Sequence, residues 1–158
     1  MIKTTFEPDS ELLKFANWFS KNHKTLSVGE YFSDDKKYHI SYLDRIVLHS
    51  GSISETGARV SDTTGRIELD KTKISDEKFT HDFIFFLIIW CVVKFDCVKS
   101  NNLSDMSVDK IALDYCSGIG LSTKDIINGV HGLIPIHLHE QNRIDNLKKY
   151  LENGKRIG

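Results

Sequence analysis

The sequence has few of the features that would tie a protein to a covalent framework, a nucleic acid or a cofactor. Its three cysteines, Cys91, Cys97 and Cys116, are an odd set without CxxC spacing, which favours a reduced cytoplasmic interior over a disulfide framework. The 21 basic residues are balanced by 22 acidic ones and form no block, so nucleic-acid binding is not expected. The segments "DTTG" and "SGIG" are turn glycines rather than phosphate-binding loops, and no cofactor is predicted.

Long hydrophobic runs are also scarce, with one exception. The first residues lack the apolar stretch of a secretory signal. The longest apolar run, Phe83 to Val93, has eleven residues, whereas about 20 are needed to span a bilayer. We therefore expect a soluble protein without a membrane anchor, located in the cytoplasm, or in a virion if the chain is of phage origin. With 158 residues and 40% hydrophobic content, a single domain over residues 1–158 is expected.

The N-terminal half predicts one helix followed by a small sheet. An Asp9/Ser10 cap precedes apolar residues at mostly helical spacing, namely Leu12, Leu13, Phe15, Ala16 and Phe19. The segment "SVGEYFSDDKKY" is interpreted as a polar loop. The segments "LDRIVLHS" and "GARVSDTTGRIELD" carry β-branched residues around a turn cluster at 61–65, which predicts two or three strands with a hairpin.

The apolar run is predicted to be a helix that is buried on all sides. Its aromatic and β-branched content also suits a buried strand, so periodicity alone does not decide between the two. Its length favours a helix, as does the segment before it, in which Ser75 is a candidate N-cap and Asp76 and Glu77 would lie in the first turn.

Three more helices are predicted after the apolar run. The first, "DMSVDKIALDYC", would be capped by Ser104 and stopped by Gly118. The second would begin at Ser122 with Asp125 in capping-box-like order and end at Pro135. The third is the amphipathic segment "EQNRIDNLKKYLENG". The order of elements predicts an α+β fold, with a small antiparallel or mixed sheet packed on a helical core.

This order of elements resembles that of the zincin-like metallopeptidases of the gluzincin type, especially the small minigluzincins. In that family, a strand like "GRIELD" precedes a buried helix carrying HExxH. A second helix with an ExxxD pattern follows, and then a segment like "H....RI..L". Here "GRIELD", the apolar run, "DMSVDKIA" and "HLHEQNRIDNL" occur in the same order, between Arg59 and Leu147. The resemblance implies a zincin-like fold.

The same resemblance implies that the active site is degenerate. The HExxH positions are occupied by Trp90, Cys91 and Lys94, and the ExxxD positions by Asp105 and Asp109. In the family, the two histidines and the acid of the second helix bind zinc, while the glutamate polarises the bound water. One acidic ligand does not hold zinc, so neither a metal nor peptidase activity is expected here. Lys94 is expected to replace the charge of the metal and to lie within about 4 Å of Asp105 or Asp109.

Other residues could carry different chemistry. His137 and His139 have the HxH spacing of some metal sites, but two ligands fall short of the three or four that a site needs. His81 and Asp82 could orient one another as a catalytic pair, although a surface imidazole beside a helix N-terminal acid is the simpler interpretation. Cys91 could act as a nucleophile if Lys94 lowered its pKa in a cleft, yet a thiol within an apolar run is usually an inert core residue.

Three functions follow from these observations. The first and favoured one is a catalytically inactive metallopeptidase-like module that serves as a binding or structural component, for example in a phage or bacterial assembly, and has a protein partner. The second is a hydrolase that uses an unrecognised site, built on Cys91 or on the pair His137 and His139. The third is a small regulatory or immunity-type protein with another α+β fold.

Overall fold

The computed structural model describes residues 6–46, 57–61, 63–99 and 105–133, together with positions 145, 148 and 149. These residues form five helices and four strands, so the protein is α+β, as the sequence predicts. In chain order the elements are α1 (Ser10–Asn22), β1 (Gly29–Phe32), β2 (His39–Leu43), β3 (Ala58–Val60), β4 (Ile67–Asp70), α2 (Lys71–Ile74), α3 (His81–Lys99), α4 (Asp105–Gly118) and α5 (Thr123–Leu133). Within this part of the chain, no helix has the length and apolar content to cross a membrane.

Helix α1 begins and packs as its sequence predicts. The carboxylate of Asp9 accepts a hydrogen bond from the Leu12 backbone N–H at 2.8 Å, which satisfies one of the free N–H groups of the first turn. The apolar face of the helix is buried against α3 and the sheet through Leu12, Phe15, Ala16 and Phe19.

The four strands form one mixed sheet in the order β1-β2-β4-β3. Strand β2 is antiparallel to β1 and parallel to β4, while β3 is antiparallel to β4. The predicted hairpin is confirmed, because the turn between β3 and β4 contains Gly65 at a φ of 75°. That left-handed conformation suits glycine. Positions 47–56, which include part of "LDRIVLHS", lie outside the described residues.

The interpretation of residues 27–38 as a polar loop was wrong, because this segment contains β1 and the turn into β2. The error is explained by the alternation of half-buried and exposed residues along this edge strand. Tyr31 points inward, with its ring centroid 5.9 Å from that of Phe19, whereas Glu30 and Phe32 are exposed. Half of the strand is therefore polar or solvent-facing, and its composition resembles that of a loop.

Helix α3 is the centre of the fold, which confirms the interpretation of the apolar run. All seven residues from Phe83 to Ile89 are buried, as are Cys91 and Val93. The helix is surrounded by α1, α4, α5 and strands β3 and β4. A helix enclosed on every side needs an apolar surface all round, which is why its hydrophobic residues show no periodicity.

The predicted start of α3 at Ser75 was wrong, because the helix begins at His81. Ser75 is instead the C-cap of the short helix α2, and its backbone N–H donates to the Lys71 carbonyl at 3.0 Å. The Asp76 carboxylate accepts from the Lys78 N–H at 3.0 Å within a turn. A Ser-Asp sequence that is typical of a helix N-cap can therefore form an Asx turn instead.

Helix α4 ends at Gly118, but Gly118 is still helical and the stop is made by Gly120. Gly120 has a φ of 91°. The Leu121 N–H donates to the Cys116 carbonyl at 3.0 Å, and the Gly120 N–H donates to the Ser117 carbonyl at 3.1 Å. These two bonds form a Schellman motif, which terminates a helix by satisfying its last carbonyl groups. The proposed cap Ser104 lies outside the described residues.

Helix α5 begins as predicted. The Ser122 hydroxyl accepts from the Asp125 N–H at 3.1 Å, which is the N-cap contact. The return bond of a full capping box comes from another helix, since the Ser122 N–H donates to the Asp82 carboxylate of α3 at 2.8 Å. Pro135 and most of the last predicted helix lie outside the described residues. The three positions of that helix that are described, 145, 148 and 149, are helical and exposed.

Gly129→Ala is expected to destabilise the protein, although alanine is the better helix former. A Cβ at position 129 would overlap the buried ring of Phe83 across the α3–α5 contact. Overpacking costs about 1 to 3 kcal/mol, and the gain in helix propensity of about 1 kcal/mol offsets only part of it. We expect a net loss of about 1 to 2 kcal/mol in the free energy of unfolding, measured by chemical denaturation.

Gly118→Ala is the matched control for that prediction. Gly118 is also helical, but nothing lies within 4 Å of a Cβ built there. This substitution should stabilise the protein by about 0.5 to 1 kcal/mol. Equal effects of the two substitutions would contradict the close packing of α5 on Phe83.

Candidate functional site

Two of the residues that the resemblance aligns with a zinc site, Trp90 and Asp109, meet where α3 packs on α4. The Trp90 indole Nε1–H donates a hydrogen bond to Oδ1 of Asp109 at 2.7 Å. The Asp109 side chain is fully buried. Water does not reach this side chain, and a donor from the neighbouring helix takes its place. A hydrogen bond from a neutral donor is stronger when the acceptor is a carboxylate.

Lys94 lies one helical turn after Trp90 on α3. Its ammonium nitrogen is 5.9 Å from the centroid of the Trp90 ring, within the range of a cation–π contact. The two contacts form a chain across α3 and α4. The ammonium group of Lys94 lies over the ring of Trp90, which in turn donates to the buried Asp109. Asp105 begins α4, but its side chain is not among those described. The direct ion pair of Lys94 with Asp105 or Asp109 stays a prediction.

Cys91 does not have the surroundings of a nucleophile. Its side chain is fully buried in the core of α3, and burial raises the pKa of the thiol to about 12. A reactive cysteine needs solvent access and a pKa lowered by a neighbouring cation. The thiol of Cys116 is also buried, and its pKa is likewise raised to about 12. The geometry therefore favours a structural role for both cysteines.

The other metal candidates fall partly outside the described chain. His137 and His139 lie outside it. Among the residues that the structure does describe, no group of three or more His, Cys, Asp or Glu side chains is arranged to hold a metal ion.

His81 and Asp82 do contact one another at the start of α3. Nε2 of His81 is 2.8 Å from Oδ1 of Asp82, and the imidazole is 53% exposed. The second carboxylate oxygen accepts the Ser122 N–H at the start of α5. Asp82 therefore joins the N-termini of two helices, where a negative charge is stabilising, and this contact gives the residue a structural role.

A large cleft on the other side of α3 was not predicted from the sequence. It has a volume of about 590 Å³ and is bordered by the start of α1, the turn before β2, the β3–β4 turn and the C-terminal half of α3. Helix α3 contributes Val92, Phe95 and Asp96. Val92 is two residues after Trp90, and Asp96 is two residues after Lys94. Two residues correspond to a rotation of about 200° around a helix. The cleft and the Trp90–Asp109 contact thus occupy opposite faces of α3.

Polar groups at the mouth of the cleft are held by hydrogen bonds to one another. Asp9 accepts from Lys37, from the Tyr38 hydroxyl at 2.9 Å and from the Leu12 N–H at 2.8 Å. The hydrogen bond from Lys37 is the main reason why the pKa of Asp9 lies below its usual value. Because these residues come from α1 and from the β1–β2 turn, no single sequence motif could have revealed their proximity.

No protein-family model matches this chain, and neither the curated proteins nor the solved structures contain a match to it.

Proposed function

We propose that the protein is a catalytically inactive metallopeptidase-like module that binds a protein partner. The observation that supports this most is the Trp90–Asp109 hydrogen bond at 2.7 Å, with Asp109 fully buried. The resemblance to minigluzincins places the first zinc-binding histidine at Trp90 and an acid of the ExxxD pattern at Asp109. The contact of these two side chains across α3 and α4 is what supports the proposal.

The contact also gives a physical reason why the proposed module would not bind zinc at this position. The indole has an N–H donor and no lone pair in the ring plane to offer a metal. Under this alignment the indole stands at the position of a metal ligand and donates to Asp109, whose counterpart in an active enzyme would orient that ligand. Lys94, above the indole ring, brings positive charge near a position that a dication would occupy in an active enzyme.

We expect the purified protein to contain no stoichiometric zinc and to cleave neither casein nor peptides. Without the two histidines and the glutamate, the α3 helix supplies no set of groups that would bind zinc and activate water. Elemental analysis of the full chain measures the first property. About one tightly held zinc per chain would contradict the proposal, unless substitution of His137 and His139 removed that metal.

The double variant Trp90→His/Lys94→His tests the alignment directly. It places two histidines four residues apart on α3, facing the α4 helix that carries Asp105 and Asp109, and it should bind about one zinc per chain. Zinc should then raise the thermal midpoint of the double variant and leave that of the wild type unchanged, since a ligand that binds the folded state stabilises it.

Two controls make that result decisive. The single variant Trp90→His has one histidine and should not bind zinc stoichiometrically, and adding Asp105→Asn to the double variant should weaken its zinc binding. A double variant that has the circular dichroism spectrum of the wild type but takes up no zinc would show that the metallopeptidase-like alignment is wrong.

A further inference from the structure

Three of the four large hydrophobic side chains that are exposed in the described residues lie on or beside strand β1. Trp18, Val28 and Phe32 are 42%, 50% and 49% exposed, whereas the fourth, Ile119, follows α4. The Trp18 ring centroid is 5.9 Å from that of Tyr31 on β1. Trp18 and Phe32 also border a groove of about 280 Å³ between α1 and the end of β1. Exposed aromatic rings that cluster in this way are typical of a protein interface.

Strand β1 is an edge of the sheet. Within the described residues it pairs with β2 alone, in a register without a bulge. The Ser33 N–H donates to the opposite Tyr38 carbonyl at 2.9 Å, so the next hydrogen-bonded pair of this antiparallel ladder is two residues away, at Tyr31. The backbone N–H and C=O groups of Glu30 and Phe32 therefore point away from β2. An edge of this kind is a template for pairing with another strand.

We propose that β1 pairs with β1 of a second copy of the chain, antiparallel and about a twofold axis at Tyr31. In this register Glu30 of each copy lies opposite Phe32 of the other. The two residues exchange backbone hydrogen bonds twice, so four bonds form and every outward N–H of the two strands has an acceptor. The edge is thus self-complementary, as a twofold interface requires. This goes beyond the role of a partner-binding module, because the second strand comes from the same protein.

The twofold axis also brings the two α1 helices together. Helix α1 runs antiparallel to β1, because its Glu11 carboxylate accepts from the Asp35 N–H at 3.0 Å, whereas Trp18 lies beside Tyr31. Pairing of the β1 strands about Tyr31 therefore sets the first turn of one α1 along the last turn of the other. The exposed Trp18 rings of the two copies lie between the helices, where they lose contact with water.

The charges of α1 are complementary in this arrangement. Glu11 lies in the first turn and Lys21 in the last, on the side of the helix that carries Trp18, since they are seven and three residues from it. Lys14, between them, forms an ion pair with Asp34 at 2.8 Å. Lys21 of each copy therefore faces the end of the other copy that carries the carboxylates of Glu11 and Asp34.

Sedimentation equilibrium of the full chain tests the pairing. From about 10 μM to about 1 mM, the average mass should rise from that of one chain toward that of two. An equal mixture of ¹³C-labelled and unlabelled chains gives the position of the axis. The Hα of Tyr31 should show an isotope-filtered NOE to the Hα of Tyr31 in the second copy, because opposite residues of a non-hydrogen-bonded pair are the closest in an antiparallel ladder.

Glu30→Pro tests the backbone hydrogen bonds. It removes an N–H that faces the second copy and leaves the bonds to β2 intact, which makes proline acceptable on an edge strand. Dimerisation should weaken by at least about tenfold. Glu30→Ala is the matched control, because it removes the same side chain and keeps the N–H, and it should change the dimerisation constant by less than about threefold. Circular dichroism verifies that both variants fold.

Two substitutions at Phe32 test the register. Phe32→Glu places a carboxylate opposite Glu30 of the second copy, whereas Phe32→Lys places an ammonium group there. Since like charges directly opposite one another destabilise a strand pair, the glutamate variant should dimerise about three- to tenfold more weakly than the lysine variant. Ile119→Glu makes a similar change at a site that is 48% exposed and should leave dimerisation unchanged.

A dimer with the Tyr31 contact and this order of variants would support the proposal. A chain that stays monomeric at about 1 mM would overturn it and leave the β1 edge to a strand of another protein. A dimer that is insensitive to the charge at Phe32 would also overturn it, and that comparison decides even if Glu30→Pro does not fold. The metallopeptidase-like interpretation is tested separately, by the zinc uptake of Trp90→His/Lys94→His.

Discussion

Phe86→Ala is expected to lower the free energy of unfolding by about 3 to 5 kcal/mol. Phe86 is 1% exposed and lies on the central helix α3, with its ring stacked on that of Phe83. The substitution removes a large buried surface and leaves a cavity that α1, α4 and α5 cannot all move to fill. Ile88→Ala, at a fully buried position of the same helix, should cost about 2 to 5 kcal/mol.

Phe32→Ala is the matched control, because it makes the same chemical change at a site that is 49% exposed. Phe32 stacks on His39 with 4.2 Å between ring centroids, so its loss should be felt, but at about 1 kcal/mol or less. Urea denaturation with unchanged slopes measures all three differences. If Phe86→Ala were no more costly than Phe32→Ala, the apolar run would be an exposed interface rather than the core of this fold.

The elements that could be predicted are those in which one local signal agrees with the packing. Helix α1 combines an Asp9 cap with an amphipathic pattern, and the β3–β4 hairpin has a glycine where its turn needs a left-handed residue. Helix α3 was predictable for a different reason. A run of apolar residues longer than a usual strand has to be enclosed, and among the described residues it lies within one hydrophobic core.

The errors arose where one local signal has two structural outcomes. The Ser75–Asp76 segment could start a helix or close a turn, and the fold uses it to end α2. Helix α4 ends at Gly118 as predicted, but the left-handed residue that closes it is Gly120, two positions later. In both cases the choice depends on where the preceding helix has to end for its neighbours to pack, which no window of sequence contains.

The candidate site was predictable only in part, and for a related reason. Trp90 and Asp109 were singled out through the resemblance, and their side chains are joined by a hydrogen bond between α3 and α4. The cleft was missed because its residues come from four segments, of which each is short and unremarkable in sequence. Chemistry assembled from loops depends on tertiary proximity, whereas chemistry on one helix can be seen in its spacing.

Trp90→Phe is expected to lower the free energy of unfolding by about 1.5 to 3 kcal/mol. Phenylalanine keeps most of the apolar ring but removes the N–H that donates to the fully buried Asp109 at 2.7 Å. The carboxylate then loses one of its stabilising contacts where water does not replace it. Chemical denaturation of the variant and the wild type at neutral pH measures the difference.

A double-mutant cycle separates that hydrogen bond from the change in packing. Asp109→Leu replaces the carboxylate by an apolar side chain of similar size, so Trp90→Phe should cost much less in that background, with a coupling of about 1.5 kcal/mol or more. Lys94→Met extends the cycle. If the ammonium group lies within salt-bridge distance of Asp109, its removal should cost about 3 to 5 kcal/mol, and Asp109→Leu should recover much of that loss. Additive effects in both cycles would mean that Trp90 and Lys94 act independently of Asp109, and the idea that they replace a metal would fail.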